Sequence, residues 1–207
     1  MTTRTVRLLF PVCAFLTLAI PTFGAGDAAA APTVGAATKA TPDAAFESLV
    51  DTFYGEYSAI YPIEATALGL HIHDGELEDL SPSGIAKELA WLKGWESRFL
   101  ALPASQLSVN NRIDHQLVLT SLRASLFDLS ELKGYRRWPN RYARLASESV
   151  NGLIKRDFAT PGARLRSVVA RCERIPAMLK VGLSNLDQTS QVSIDITLRN
   201  LESTAEF

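Results

Sequence analysis

The sequence predicts an all-α protein of six or seven amphipathic helices packed as an antiparallel bundle, part of a larger helical protein. Three observations carry that expectation. Apolar residues recur at three- and four-residue spacing through most of the chain after residue 41. Thr41-Pro42, Ser81-Pro82 and Thr160-Pro161 each set a hydroxyl cap directly before a proline, the residue whose missing N–H costs nothing in a first helical turn. The alternating stretch Val192 to Leu198 would be a lone strand with nothing to pair with, so helix is expected there too.

The first helix starts at Thr41-Pro42-Asp43 and carries Phe46, Leu49, Val50, Phe53, Tyr54, Tyr57 and Ile60 on one face up to Pro62. Pro62 to Leu68 makes a short second helix stopped by Gly69, because glycine tolerates the left-handed conformation at a C-terminal cap. Leu70 to Leu80 has scattered acids and no period, which predicts loop. Ile85, Leu89, Leu92, Trp95 and Phe99 mark a third helix ending before Pro103. A fourth begins near Ser108 or Asn110 and runs to Leu129; its wide apolar stripe predicts the most buried helix. Tyr135 to Tyr142 breaks the period and reads as a structured turn over the bundle end or a partner patch, and Asn140 is the expected cap of a fifth helix with Tyr142, Leu145, Val150, Leu153 and Ile154. A sixth carries Leu165, Val168, Val169, Cys172 and Ile175, then kinks or restarts at Pro176.

Residues before 41 are of another kind. A short basic start with Arg4 and Arg7, an apolar run from Leu8 to Ile20 and small residues at Gly24 and Ala28–Ala31 form the three-part pattern of a secretory signal. The run is too short for a comfortable membrane span, so residues 1–30 are expected to be a cleaved signal peptide. Residues 31–40 form a flexible linker, and the product is exported to the periplasm or the extracellular space with no stable membrane span. Cys13 lies inside the apolar run without a lipoprotein pattern around it and leaves with the signal. Cys172 then stands alone, expected as a small core residue. The net charge of −1 and pI near 6.3 show no basic excess, so nucleic acid is not an expected partner.

The chemistry inventory is short. No His-Glu pair occurs, so the His-Glu-x-x-His pattern of helical zinc peptidases is missing, and with it Gly-x-Ser-x-Gly and the glycine-rich phosphate loops. No catalytic or cofactor-binding residue is assigned. The metal candidates are His71 and His73, which would share a side only in extended backbone, since on a helix they diverge by roughly 200°. A site would need a third ligand from His115, Asp74, Glu76 or Asp79, and nothing in the sequence places His115 beside them. The simpler account is an acidic loop whose Asp79 and Ser81 help start the next helix. For Arg112-Ile-Asp114-His115 and Lys155-Arg156-Asp157, surface ion pairing is the default and a tie between helices the sharper alternative.

Pro62, Ala65-Thr66, Leu68-Gly69, Asp74, Leu77, Asp79 and Ser81, followed by Arg112-x-Asp114, Arg156-Asp157, Pro161, Arg164, Ile175-Pro176 and Asn185-Leu186, resemble the bacterial family called domain of unknown function 885. The resemblance runs from about Ala44 to Thr204. It implies the front part of a helical, often exported protein nearly three times as long, with a zinc-binding His-Glu-x-x-His motif in its C-terminal half. Residues 41–207 are then a C-terminally truncated helical domain, without catalysis or cofactor of its own. Zinc belongs to the full-length form, the missing catalytic domain is its partner, and a peptide is the expected substrate. The alternative is a stand-alone secreted helical module that binds a peptide or a cell-envelope partner. A front part should expose a contiguous apolar patch where the rest docks, whereas a stand-alone module should be mostly polar outside.

Overall fold

The structure, a computed structural model, describes residues 41–205. The expected signal peptide and linker lie outside the described residues. Within them the chain forms eight α-helices: α1 (Pro42–Ile60), α2 (Pro62–Leu68), α3 (Pro82–Leu100), α4 (Val109–Phe127), α5 (Gly134–Arg137), α6 (Asn140–Lys155), α7 (Pro161–Asn185) and α8 (Gln191–Ala205). No strand occurs among the described residues, and the alternating stretch near Val192 is helical, within α8.

The caps explain the starts. Thr41, Ser81 and Thr160 each accept a hydrogen bond from the backbone N–H three residues on, at 3.3, 3.0 and 3.3 Å, and Ser108 does the same for α4 at 3.4 Å. Each such bond satisfies one orphan donor of a helix start, worth about 1 kcal/mol. Gly69 ends α2 with a φ of 90°, the left-handed cap its position predicts. Asn140 departs from expectation: Pro139 occupies the cap position of α6, and the Asn140 side chain instead accepts from Asn200 on α8 at 2.9 Å.

Neighbouring helices pack pairwise, α3 on α4 and α6 on α7, while α2 and α8 also lie against α6. One core gathers Phe46 and Phe53 of α1, Leu92, Trp95 and Phe99 of α3, and Leu119 and Leu122 of α4. Its rings meet edge-on, Phe53 lying 5.2 Å from Trp95 and 5.8 Å from Phe99 by centroid. The indole N–H groups of Trp91 and Trp95 both donate to Glu56 Oε2, at 2.9 and 2.8 Å, so neither ring buries an unpaired donor. His115 belongs to this core, with Nε2 bonded to the Phe99 carbonyl at 2.8 Å. A second core joins Leu80, Tyr142 and Met178. There α7 approaches α6 closely because Gly182 has no Cβ: one would fall 2.5 Å from the Tyr142 ring.

Two expectations of burial are corrected. Helix α4 is not the most buried, since Val109, Ile113, Leu117 and Phe127 are exposed while only His115, Leu119 and Leu122 are buried. Its wide stripe divides between the core and the outside. Cys172 is exposed, because α7 turns Arg171, Met178 and Gly182 inward and leaves the apolar row of Leu165, Val169 and Cys172 outward. At Pro176, where a kink or a restart is expected, α7 continues as one element. No helix among the described residues is long and apolar enough to cross a membrane.

Candidate functional site

Two adjoining features collect most of the buried polar chemistry. The first is centred on Arg171 of α7, which is 0% exposed although it is charged. Each branch of its guanidinium finds an acceptor: Nε donates to the Glu76 carbonyl at 3.0 Å, Nη1 to the Ser149 carbonyl at 2.8 Å, and Nη2 to the Pro62 carbonyl and Thr66 Oγ1 at 2.9 and 2.8 Å. Those acceptors come from the 70–80 loop, α6 and α2, so one planar fork ties three segments to α7. Thr66 receives from Arg171 and has a single hydrogen to give; the carboxylate of Asp74 at 2.7 Å is a closer acceptor than the Pro62 carbonyl at 2.9 Å. Burial pulls the guanidinium below the usual arginine range, and the nearby Asp74 and Glu78 oppose that shift.

The histidines of the loop are spoken for. His71 Nδ1 lies 3.0 Å from Asp74 Oδ2, and its ring stacks on Phe158 with centroids 3.6 Å apart and 6° between planes. His73 Nδ1 faces Glu76 Oε1 at 3.1 Å. Each imidazole therefore serves its own carboxylate three residues on, while His115 sits in the aromatic core. No group of three or more His, Cys, Asp or Glu among the described residues is arranged to hold a metal ion. The described residues thus offer no set that fits the zinc which the resemblance implies for the longer protein.

The second feature is a cleft of about 1000 Å³ bounded by α1, α2, α3, α4 and α6. Tyr57, Tyr61 and Trp91 line it together, with centroid separations of 4.8 Å between the tyrosines and 6.1 and 6.3 Å to the indole. Tyr61 donates to Glu88 Oε1 at 2.5 Å. Burial raises both phenols above their ordinary range, with Glu64 adding to the effect at Tyr57 and Glu88 at Tyr61. Burial also raises the Glu88 carboxyl, and it pushes Glu78 up to about 7 against the opposing pull of backbone donors and Arg171. Glu78 Oε1 accepts from the Ile63 N–H at 3.2 Å, while its buried Oε2 has no hydrogen-bond partner. Across the cleft, Arg141 pairs with Asp128 at 2.9 Å and Arg144 with Glu148 at 2.8 Å.

Of the charged runs singled out in the sequence, Lys155-Arg156-Asp157 holds segments together. Arg156 Nη1 donates to the Ala67 carbonyl at 2.6 Å, joining the end of α6 to the end of α2, and Asp157 pairs with Arg164 at 2.7 Å. Arg136 pairs with Asp187, and its carbonyl accepts from the N–H groups of Asp187 and Gln188 at 3.2 and 3.1 Å, so the Tyr135–Tyr142 segment is the structured turn over the end of α7. Sequence reasoning missed Arg171 altogether. Its signal, an arginine set among Val168, Val169 and Ile175, was legible only as an interruption of an apolar stripe.

Residues 62–206 match the model of a family described as bacterial protein of unknown function (DUF885). Among solved structures, the chain is similar to a candidate lipoprotein of unknown function from Shewanella oneidensis, at 27% identity and a TM-score of 0.70. The match covers 78% of this chain and 29% of that one, so the chain spans under a third of the solved protein's length. No curated protein matches.

Replacing Arg171 by leucine should cost about 3–5 kcal/mol of stability, because Thr66 Oγ1 and three backbone carbonyls lose their donor in a dry interior and Asp74 loses a nearby positive charge; urea unfolding measures it. Glu78 gives a pH signature of defined sign. Its ordinary value of 4.5 rises to about 7 in the folded chain, so between those values the native state holds a proton that the unfolded chain has released. Stability should therefore fall as pH rises from 4.5 to 7, by on the order of 3 kcal/mol from this group. The Glu78→Gln variant, neutral throughout, should flatten that slope in urea titrations run at several pH values.

Proposed function

This chain belongs to the bacterial DUF885 family, and we propose that it forms the N-terminal helical wall of a longer exported protein whose zinc-dependent peptidase centre is carried by residues outside this chain. The observation that carries the proposal is the outer surface of α7 and α8. Leu165, Val169 and Leu183 of α7 and Val192, Ile194, Ile196, Leu198 and Leu201 of α8 are exposed, Leu183 at 68% and Val192 at 67%. Single exposed apolar residues are ordinary, but rows of them along successive helices are what a docking surface for further protein looks like. The share of the solved relative that this chain spans supports the same reading, as does the absence of His-Glu-x-x-His from the sequence. The relative's description as a candidate lipoprotein supports export, together with the signal-like start at Met1 to Ala31.

In this arrangement the chain contributes binding surface and a rigid frame, and catalysis is done elsewhere in the polypeptide. Reading the genomic frame beyond codon 207 tests it directly. Several hundred further residues with His-Glu-x-x-His, and chelator-sensitive peptide hydrolysis by the longer protein but not by this chain, are the expected outcome. A stop codon with no such sequence nearby would leave the stand-alone secreted binding module instead. Val169→Lys and Leu198→Lys should raise the soluble concentration of the chain while changing its stability by less than about 0.5 kcal/mol, as surface substitutions do. Unfolding by either change would assign those residues to the chain's own core and count against the docking surface.

A further inference from the structure

The aromatic cleft has a charge arrangement that the framing role does not use. Of the basic residues that line it, Arg141 is committed to Asp128, Arg144 to Glu148 and Arg156 to the Ala67 carbonyl, while Lys155 is exposed. Its inner carboxylates are not so paired. Glu88 is held by a neutral phenol at 2.5 Å and Glu78 by a backbone N–H, with one buried Glu78 oxygen lacking any donor. Arg171 lies near Glu78 but directs its hydrogen bonds at carbonyls and at Thr66. Beside these carboxylates three rings converge within 6.3 Å of one another, presenting electron-rich faces and a corner between them.

We propose that this cleft is a binding site for an organic ammonium ion, a protonated amine on an apolar or aromatic body. An ammonium brings three donors and no acceptor, which is what Glu78 Oε2 and Glu88 lack, and a cation gains further from the faces of Trp91, Tyr57 and Tyr61. The apolar body has Phe53, Leu92 and Leu122 to rest on within the same cleft. A volume of about 1000 Å³ admits a molecule of drug size or the end of a short peptide. An anion fits poorly beside the aromatic rings, since it would meet Glu78 and Glu88 there and find Arg141 and Arg144 already paired. The raised carboxyls agree with the assignment: burial pushes Glu78 up to about 7 and raises Glu88 as well, and a bound cation would favour the charged form of both. The inference stands on the cleft alone and does not require a peptidase centre. The ammonium could come from a free amine or from the amino terminus of a peptide.

Isothermal titration of the purified full chain with 2-phenylethylamine, 2-phenylethanol and phenylacetate compares cationic, neutral and anionic heads on one body. The ammonium should bind at least roughly tenfold tighter than either of the others, and Glu88→Gln should remove most of that preference. Trp91→Leu should weaken the amine by a similar factor while leaving the native circular dichroism spectrum in place. A tripeptide amide with a free phenylalanyl amino terminus separates the sources: tighter binding than the amine assigns a peptide end, weaker binding a free small amine, and either supports the ammonium site. No binding of any ammonium, equal binding of all three heads, or a preference for phenylacetate would overturn it. The wild-type comparison decides the matter even where a variant fails to fold.

Discussion

A guanidinium without solvent access is the constraint on which this structure turns. Burying a charge costs several kcal/mol unless it is hydrogen-bonded, and each nitrogen of the Arg171 guanidinium finds an acceptor only if α2, the 70–80 loop, α6 and α7 sit in one arrangement. The loop itself has no periodic apolar pattern that could define its path. Its position follows from the acceptors it must present: the Glu76 carbonyl to Arg171, and Asp74 to Thr66 and His71. Pro62, Thr66 and Asp74, residues that carry the family resemblance, are thus the ones gathered around this single charge.

The same arrangement creates the cleft. Holding α2 and the loop against α6 and α7 sets Glu78 inward, while the aromatic core of α1 and α3 sets Tyr57, Tyr61 and Trp91 beside it. A carboxyl in that position is desolvated, and the nearby Arg171 offsets only part of the cost because its hydrogen bonds point elsewhere. Polar groups left short of partners in an interior are usually answered by water or by a ligand. In this fold they sit beside open volume and aromatic faces instead of in a packed core.

Helical periodicity identifies an apolar face without saying what covers it. The rows on α7 and α8 satisfy the amphipathic rule as well as those of α1 and α3, yet the first two face outward and the second two build a core. Helix α7 shows why: its inward side carries Arg171, Met178 and Gly182, of which only Met178 fits a hydrophobic pattern. An arginine there is chosen by acceptors from three other segments, and a glycine by the ring of Tyr142.

From the sequence alone came the helical class, the starts at Thr41, Ser81 and Thr160, the stop at Gly69 and the family, because caps, prolines and local periodicity act within a few residues and are written where they act. The role of Asn140, the exposure of Cys172, the divided stripe of α4 and the burial of Arg171 were decided only by tertiary structure. Each depends on partners between about 20 and 110 residues away, such as the Pro62 carbonyl that meets Arg171. The cleft is of the second kind throughout: its tyrosines, tryptophan and glutamates are ordinary helix and loop residues in sequence, and only the packing of five helices gives them a common face.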